Sequence, residues 1–165
     1  MKIFVLSDSH SGLSFMRFCI ETAKPDVVIH LGDYYDDGET MQEEYPGLRF
    51  YRVPGNCDRY RASSIIPETL VEDVGGVRLY MTHGHLHQVK SGVGALVRAA
   101  RQRSAAAALF GHTHCALCEQ LDDGMWLLNP GSCGYYGGSA GIILIQDGKI
   151  RSCRVIRQAD LEGTV

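Results

Sequence analysis

Seven side chains suited to binding divalent metals follow short apolar segments of this sequence. They are two carboxylates, one amide and four imidazoles: Asp8, His10, Asp33, Asn56, His83, His112 and His114. Asp8 and His10 are two residues apart, as are His112 and His114, and in an extended backbone this spacing points both side chains the same way. Burying so many titratable groups without a metal would cost considerable free energy. The pattern therefore predicts a metal centre.

Each of these groups follows a segment with the pattern of a buried strand, because runs of four to eight apolar residues are typical of strands buried on both faces. The predicted strands are Lys2–Leu6, Asp26–Leu31, Leu48–Val53, Val77–Met81 and Ala105–Phe110. Apolar residues at helical spacing predict helices over Leu13–Lys24 and Ser91–Arg103, with a short helix over Met41–Tyr45. Strands that alternate with helices favour parallel pairing. Ligands of such sheets bind beyond the carboxyl ends of the strands, so we expect the five loops to meet at one rim.

The last third of the chain changes character. Four more strands are predicted there: Cys115–Leu121, Met125–Leu128, Gly141–Gln146 and Ile150–Ile156. Asp122-Asp123-Gly124 and Asp147-Gly148-Lys149 are hairpin signals. We expect a second, more antiparallel sheet to pack on the first. The predicted fold class is α/β, with two packed mixed β-sheets flanked by helices.

Composition is typical of one globular domain spanning residues 1–165, with a loose tail after about residue 157. The net charge of −3 without a Lys/Arg block disfavours non-specific nucleic-acid binding, which needs a basic face. The first apolar run is too short for a signal peptide, and none approaches the roughly 18 residues of a membrane span. We therefore expect a cytoplasmic protein with no membrane partner, whose six cysteines are reduced thiols.

The ordered motifs resemble those of the calcineurin-like metallophosphoesterase superfamily. They are Asp8-Ser9-His10, Gly32-Asp33, Gly55-Asn56-Cys57-Asp58, Thr82-His83-Gly84-His85 and Gly111-His112-Thr113-His114. Gly-Asn-Cys-Asp and the later Asn129-Pro130-Gly131-Ser132 are similar to the small bacterial and archaeal phosphodiesterases of the YfcE/MJ0936 type. The resemblance covers residues 1–132. It implies a phosphoric ester hydrolase acting on a small phosphorylated substrate, and a homo-oligomer would fit it.

The resemblance also implies a role for each predicted ligand. Asp8, His10 and His114 would bind the first metal, Asn56, His83 and His112 the second, and Asp33 would bridge the two. Metals roughly 3.5–4 Å apart can share a bridging water and lower its pKa, and the hydroxide then attacks phosphorus in line. Asn56 would also hydrogen-bond the phosphate. Manganese is the first choice, with nickel, zinc, iron or cobalt as alternatives.

Cys57 stands where many members of the superfamily have a histidine that assists the leaving group. A thiol is a poor general acid near neutral pH. We therefore expect water or His85 to protonate the leaving group, and aryl phosphates to be favoured. The alternatives are that Cys57 packs beneath the site and that His85 is a hydrogen-bond partner behind the ligands. His30 and His87 are expected not to bind metal.

Two further features allow alternatives. Tyr135 and Tyr136 follow the Asn-Pro-Gly-Ser motif, where many relatives have a basic pair; they would either stack on a base or belong to a flexible glycine-rich loop. Cys115 and Cys118 have the spacing of a zinc or redox pair, but zinc sites usually show a second pair and redox motifs open a helix, so ordinary thiols are expected.

Two functions other than catalysis also fit this fold. One is a non-catalytic protein-interaction scaffold like the retromer subunit Vps29, and the other is a metal-binding or nucleotide-sensing module without turnover. All seven ligand positions are occupied by competent side chains, which favours an enzyme.

Overall fold

The computed structural model contains two five-stranded mixed β-sheets with helices on their outer faces. It describes residues 1–58, 66–134 and 138–162. The strands are β1 (Lys2–Leu6), β2 (Val27–His30), β3 (Arg49–Arg52), β4 (Thr69–Val74), β5 (Val77–Thr82), β6 (Ala107–Leu109), β7 (Leu117–Gln120), β8 (Trp126–Asn129), β9 (Ser139–Gln146) and β10 (Lys149–Arg157). The helices are α1 (Leu13–Ala23), α2 (Tyr35–Glu44), α3 (Gly94–Gln102) and α4 (Gln158–Glu162), with 3₁₀ turns at Asn56–Asp58 and His85–His87. The predicted fold class is confirmed.

The first sheet supports the first three predicted metal-binding loops. Its strand order is β10-β9-β1-β2-β3. β1, β2 and β3 are parallel, with Ile3 opposite Val27 and Val27 opposite Arg49. Their carboxyl ends therefore lie at one edge of the sheet.

The second sheet supports the other two predicted loops. Its strand order is β4-β5-β6-β8-β7. β5, β6 and β8 are parallel, and β4 and β7 pair antiparallel at the two edges. The loops after β5 and β6 therefore also leave from a shared edge.

The assignment of the last four strands to a second sheet is wrong for two of them. β7 and β8 belong to the second sheet, but β9 and β10 form a hairpin that joins the first sheet through β1. The run Ala140–Ile143 is buried on both faces, which suits a place between β1 and β10. Hairpin signals encode the local turn and not the distant strand that the hairpin pairs with, so the sequence pattern could not decide this.

β4 was not predicted, because Glu72 and Asp73 interrupt its apolar run. It is an edge strand whose residues are mostly half-buried, where charged side chains are tolerated. Gly75 and Gly76, both at positive φ, make the tight turn into β5.

Alternating side chains of the strands divide between two cores. Ile3 and Val5 point between the sheets, where they pack with residues of the second sheet such as Leu79. Phe4 and Leu6 point outward against α1 and α2, in a cluster that includes Met16, Cys19 and Met41. α3 covers the outer face of the second sheet, with Leu96, Val97 and Ala100 buried against it. Each sheet therefore packs on the other sheet with one face and on helices with the other. This packing fixes where each strand ends and where the loop after it begins.

Two helices differ from the sequence prediction in an informative way. α2 begins at Tyr35, ahead of the predicted Met41, because its amino end is capped from outside the helix, as described below. In the segment predicted to be a loose tail, Gln158–Glu162 form the short helix α4. In the described part of the chain, no helix is long and apolar enough to cross a membrane.

Candidate metal centre

The loops after β1, β2, β3, β5 and β6 meet where the carboxyl ends of the two sheets adjoin. The two sheets touch there through their polar side chains. His83 Nε2, which follows β5, lies 3.5 Å from Asp33 Oδ1 and 4.0 Å from Asp8 Oδ1. His114 Nε2, which follows β6, lies 3.1 Å from the same Asp8 oxygen. The structure therefore brings residues that are distant in sequence to one rim, as the strand pattern predicted.

Four of the predicted ligands form one compact group. One ligand atom from each of Asp8, His10, Asp33 and His114 can be chosen so that all lie within 4.8 Å of one another. Asp8 and Asp33 are buried, at 0% and 3% exposure, whereas the His114 side chain is 39% exposed. Asp8 Oδ1 accepts no hydrogen bond within the described residues, although it is buried. A buried carboxylate oxygen without a donor fits a bound cation.

The remaining three ligands lie beside that group. His83 Nδ1 lies 2.7 Å from the Leu31 carbonyl oxygen, so in the neutral ring this nitrogen carries the proton and donates it. Nε2 then presents a lone pair, and it lies 3.2 Å from Asn56 Oδ1 and 3.5 Å from Asp33 Oδ1. Acceptor atoms that converge without a proton between them repel each other, and a divalent ion would relieve the repulsion. The donor set therefore fits a metal on this side as well.

His112 is positioned by the main chain and by ring contacts. Its backbone N–H donates to Asp8 Oδ2 at 3.1 Å, and its ring centroid lies 5.1 Å from that of His83. Burial, together with the charges of His83 and Lys90, lowers the pKa of His112 to about 4. The ring is therefore neutral at physiological pH, which is the form that binds metal.

Asp33 is held as an anion. Burial by itself would raise its pKa, but His83 and the hydrogen bonds from Cys57 outweigh that effect and lower the pKa below its usual value. The Cys57 backbone N–H donates to Asp33 Oδ1 at 2.9 Å. A Cβ on Gly55 would collide with Asp33, so this position requires glycine.

The backbone at the rim is strained. Five of the seven predicted ligands have positive φ: Asp8 (55°), His10 (42°), Asp33 (52°), His112 (68°) and His114 (59°). Residues other than glycine adopt this conformation at a cost, and they cluster at functional sites. The strain indicates that the surrounding structure dictates these side-chain positions.

Two buried carboxylates that the sequence reasoning missed hold the strained loops. Asp58, 1% exposed, accepts the N–H groups of Tyr34 and Tyr35 with Oδ1, at 2.9 and 3.0 Å, and that of Gly55 with Oδ2 at 2.8 Å. It thus caps the amino end of α2 and joins the Asp33 loop to the Asn56 loop. Sequence motif matching included Asp58 but gave it no role, because its partners are backbone groups of other loops.

Asp37, on α2, accepts hydrogen bonds from the loop that follows β1 and so holds that loop in place. Its Oδ2 accepts the Ser9 hydroxyl at 2.7 Å and the Ser11 N–H at 2.8 Å. The Ser9 Oγ also lies 3.0 Å from His30 Nε2. His30 is buried beneath the loop and belongs to this network rather than to the rim.

The Asn129-Pro130-Gly131-Ser132 motif supports the site from the end of β8. The Asn129 amide donates to the Gly111 carbonyl at 3.1 Å and to Thr113 Oγ1 at 2.9 Å, which orders the loop of His112 and His114. The Ser132 hydroxyl donates to the Asp8 carbonyl at 2.8 Å. The motif therefore acts on ligand-bearing loops without contributing a ligand.

The remaining candidates near the rim have other surroundings. Cys57 is exposed beside Asp33 instead of packed beneath the site, and burial of its sulfur, together with the Asp33 charge, raises the pKa of this thiol to about 11. His85 Nε2 lies 3.7 Å from Glu68 Oε1, and its ring is 5.4 Å from that of His83. His87 Nε2 lies 3.0 Å from the Tyr80 hydroxyl. Tyr135 and Tyr136 lie outside the described residues.

The cysteines are thiols throughout. All six are free. Cys118 does not pair with Cys115; its sulfur lies 3.3 Å from that of Cys153 in the other sheet, and Cys115 is exposed.

Comparison with known proteins agrees with this geometry. A model of the calcineurin-like phosphoesterase superfamily domain matches residues 1–147. The chain belongs to the calcineurin-like phosphoesterase superfamily. The resemblance seen in the ordered motifs is thereby confirmed.

Two relatives of this phosphoesterase-family chain come from a bacterium and an archaeon. YsnB from Bacillus subtilis (strain 168), named as a probable metallophosphoesterase, is 31% identical over 135 residues, which are 80% of this chain and 75% of that protein. Phosphodiesterase MJ0936 from Methanocaldococcus jannaschii is 29% identical over 159 residues, 84% of this chain and 88% of that protein.

Solved structures share the fold. A predicted phosphoesterase from Streptococcus pneumoniae TIGR4 superposes with a TM-score of 0.71 at 24% identity, covering 95% of this chain and 97% of that one. Vps29 from Chaetomium thermophilum also gives 0.71, at 17% identity and 95% coverage of each chain. At these identities the likeness concerns the fold alone.

Proposed function

We propose that this phosphoesterase-family chain is a dinuclear-metal-dependent phosphodiesterase acting on small phosphorylated molecules. The observation that carries the proposal is the convergence of donor atoms around Asp33. Four donors lie within 4.8 Å of one another, and Asp33 also faces the buried His83 of the second group. A relative named as a phosphodiesterase supports the choice of diesters.

Two divalent ions, manganese by first choice and nickel, zinc, iron or cobalt otherwise, would supply Lewis acidity and an activated water at this centre. Asp8, His10 and His114 would hold one ion. Asn56, His83 and His112 would hold the other. Asp33 would bridge them, since its carboxylate belongs to the first group and lies 3.5 Å from His83 Nε2, nearer than the 4.0 Å of Asp8.

The protein's own part is to orient neutral imidazoles and to donate to the phosphoryl group. The Leu31 carbonyl fixes the His83 tautomer, which leaves Nε2 for the metal. Asn56 presents Oδ1 towards His83, and its Nδ2 has the Cys57 sulfur at 3.6 Å as a weak partner. Nδ2 therefore remains available to donate a hydrogen bond to a phosphoryl oxygen, which makes Asn56 both a ligand and a catalytic residue in the proposal.

Leaving-group protonation is assigned to water or to His85. The raised pKa keeps the Cys57 thiol protonated, but a proton held that tightly transfers poorly near neutral pH. His85 Nε2 lies 3.7 Å from Glu68 Oε1, and a carboxylate at this distance helps to orient the imidazole. Substrates with good leaving groups, such as aryl phosphodiesters, should be hydrolysed fastest.

Metal-free protein reconstituted with each candidate ion tests the proposal. The substrates are bis(4-nitrophenyl) phosphate and 4-nitrophenyl phosphate, which release the same chromophore from a diester and a monoester. We expect manganese-dependent turnover with the diester preferred. Absence of turnover with every ion, together with absence of stoichiometric binding, would reject the enzyme and favour the scaffold that the Vps29 fold exemplifies.

A further inference from the structure

A large aromatic side chain stands exposed at the edge of the candidate metal centre. Tyr34 directly follows Asp33 and is 42% exposed. The other large apolar side chains exposed in the described ranges are Met1, Leu86 and Leu144. Exposure of one apolar residue needs no explanation by itself, so the case for Tyr34 depends on its contacts and its backbone.

The Tyr34 ring rests against a predicted metal ligand. Its centroid lies 5.2 Å from that of His10, and the two planes meet at 64°. Edge-on contact of this kind is favourable and fixes the direction of both rings. The Tyr34 hydroxyl makes no hydrogen bond to the described residues, so the ring is placed by the aromatic contact and the backbone.

The backbone of Tyr34 adopts a conformation that favours small residues. Its φ is 73°, and Gly32 and Asp33 before it are also at positive φ. The Tyr34 N–H is fixed by the buried Asp58 carboxylate at 2.9 Å. Glycine or asparagine would adopt this backbone conformation at a lower cost in free energy. The turn therefore does not call for an aromatic ring, and the chain accepts strain to place one beside His10.

Beside Asp33, the Cys57 side chain is exposed, and the Cys57 backbone N–H donates to Asp33 Oδ1 at 2.9 Å. A phosphoryl group held by the predicted metal ligands would have the exposed Tyr34 ring beside it. An aromatic ring offers an apolar contact, which suits an aromatic substituent of the phosphoryl group better than a further phosphate.

We propose that Tyr34 is a specificity-determining residue. The exposed Tyr34 ring would select phosphodiesters in which one ester group contains an aromatic ring, either an aryl ring or a nucleobase. The proposal rests on the phosphodiesterase function proposed above and names the substrate class for the same site. An aromatic side chain can stack on a nucleobase or on an aryl ring, because both have a π face. Aryl esters and nucleotides would therefore be recognised by the same contact with Tyr34.

Binding of matched phosphonates tests this without requiring turnover. Phenylphosphonate and methylphosphonate present the same head group to the metals and differ in the ring. We expect manganese-loaded protein to bind phenylphosphonate about tenfold more tightly, a modest value for one aromatic contact. Uridine 5′-phosphate against ribose 5-phosphate, which share the ribose and the phosphate, separates a nucleobase from an aryl source in the same way.

Three variants decide the role of Tyr34. Tyr34→Asn keeps a residue that tolerates positive φ and should fold at least as well, but it should lose the preference for phenylphosphonate. Tyr34→Phe should keep the preference, because the hydroxyl makes no hydrogen bond to the part of the chain that the structure describes. Leu144→Ala, which removes an exposed apolar side chain on β9, is the control and should change neither affinity.

Two results would overturn the proposal. One is equal affinity of the wild-type protein for both phosphonates and for both members of the nucleotide pair. The other is a Tyr34→Asn protein that binds both members of a pair equally less well, together with weakened manganese binding, because Tyr34 would then serve only to place His10. Failure of the proposed function is a separate result: no turnover of bis(4-nitrophenyl) phosphate, whatever the phosphonate affinities.

Discussion

The two halves of the candidate metal centre are held differently. In the first half, Asp8, His10, Asp33 and His114 cluster on strained loops, and His114 is 39% exposed. In the second half, His83 is fully buried and bonded to the Leu31 carbonyl. Asn56 and His112 both contact His83: Asn56 Oδ1 lies 3.2 Å from His83 Nε2, and the two histidine ring centroids are 5.1 Å apart.

The difference in charge predicts which half of the centre binds its metal ion more tightly. Asp8 Oδ1 lies nearer the first half, at 3.1 Å from His114 Nε2 against 4.0 Å from His83 Nε2, and the second half shares Asp33 with the first. A dication is bound more tightly where more negative charge faces it. We therefore expect the first half to bind its ion more tightly, and the second ion to depend on Asp33.

The largest effect should come from Asp33→Asn, because this change removes the charge that the two halves share. We expect both ions to bind more weakly and activity to fall on the order of 10³-fold, equivalent to about 4 kcal/mol. Metal content and turnover of an aryl diester measure this. Asp73→Asn, at an exposed ion pair with Arg78, is the control. Two bound ions and near-normal turnover in Asp33→Asn would refute the bridge.

Changing one histidine in each half separates them. His83→Gln and His114→Gln should each leave about one ion per chain and lower turnover by about a hundredfold, equivalent to about 3 kcal/mol. His83→Gln should also lower the free energy of unfolding of the metal-free protein by about 1–3 kcal/mol, since it disturbs a buried hydrogen bond. His114→Gln, at a partly exposed residue, should not. Equal unfolding free energies in urea would contradict the difference in burial.

Asp58→Asn tests the connection between the halves. An amide at this position cannot accept all three N–H groups that the carboxylate accepts from the Asp33 and Asn56 loops. We expect metal affinity to fall by about 10–100-fold, as for other residues that orient ligands. Calorimetric titration with manganese measures it, again against Asp73→Asn. Affinity within twofold of wild type would show that the loops hold their shape without Asp58.

His30, beneath the first half, should make stability depend on pH. Burial, reinforced by the charges of His83 and Arg52, lowers its pKa to about 3. The unfolded chain, with a histidine pKa of about 6.5, binds a proton in the intervening range, so stability falls as the pH drops from 6.5 towards 3. The residue should account for about 2 kcal/mol of loss at pH 5. Urea unfolding in a chelator should show a shallower pH dependence for His30→Gln; parallel curves would contradict a neutral buried His30.

The smallest effect should come from Cys57→Ser, at the shared carboxylate. Serine keeps a donor to Asp33, so turnover of an aryl diester should stay within about threefold of wild type. Loss of turnover with unchanged metal content would make Cys57 the source of the leaving-group proton.

Local pattern predicted most of the strands and the position of the candidate ligands, because both follow from neighbouring residues. β1 has the predicted bounds, and all seven candidate ligands lie at the rim. The common direction of the parallel strands then brings the loops that follow them to one edge. The two-metal assignment itself came from family resemblance and stays a prediction.

Features that depend on distant partners were missed. α2 starts early because Asp58, from another loop, caps it. β9 joins β1 across most of the chain length, and no local turn signal encodes that pairing. The left-handed backbone of Asp33 and Tyr34 likewise follows from the loops around them rather than from their own preferences.

The most direct test of a two-metal centre is titration of metal-free wild-type protein with manganese, with bound ions and diester turnover measured together. The proposed two-metal function predicts two ions per chain, a tighter first ion, and turnover that rises with the second. One ion or none at saturation, or turnover that is complete once the first ion is bound, would contradict it.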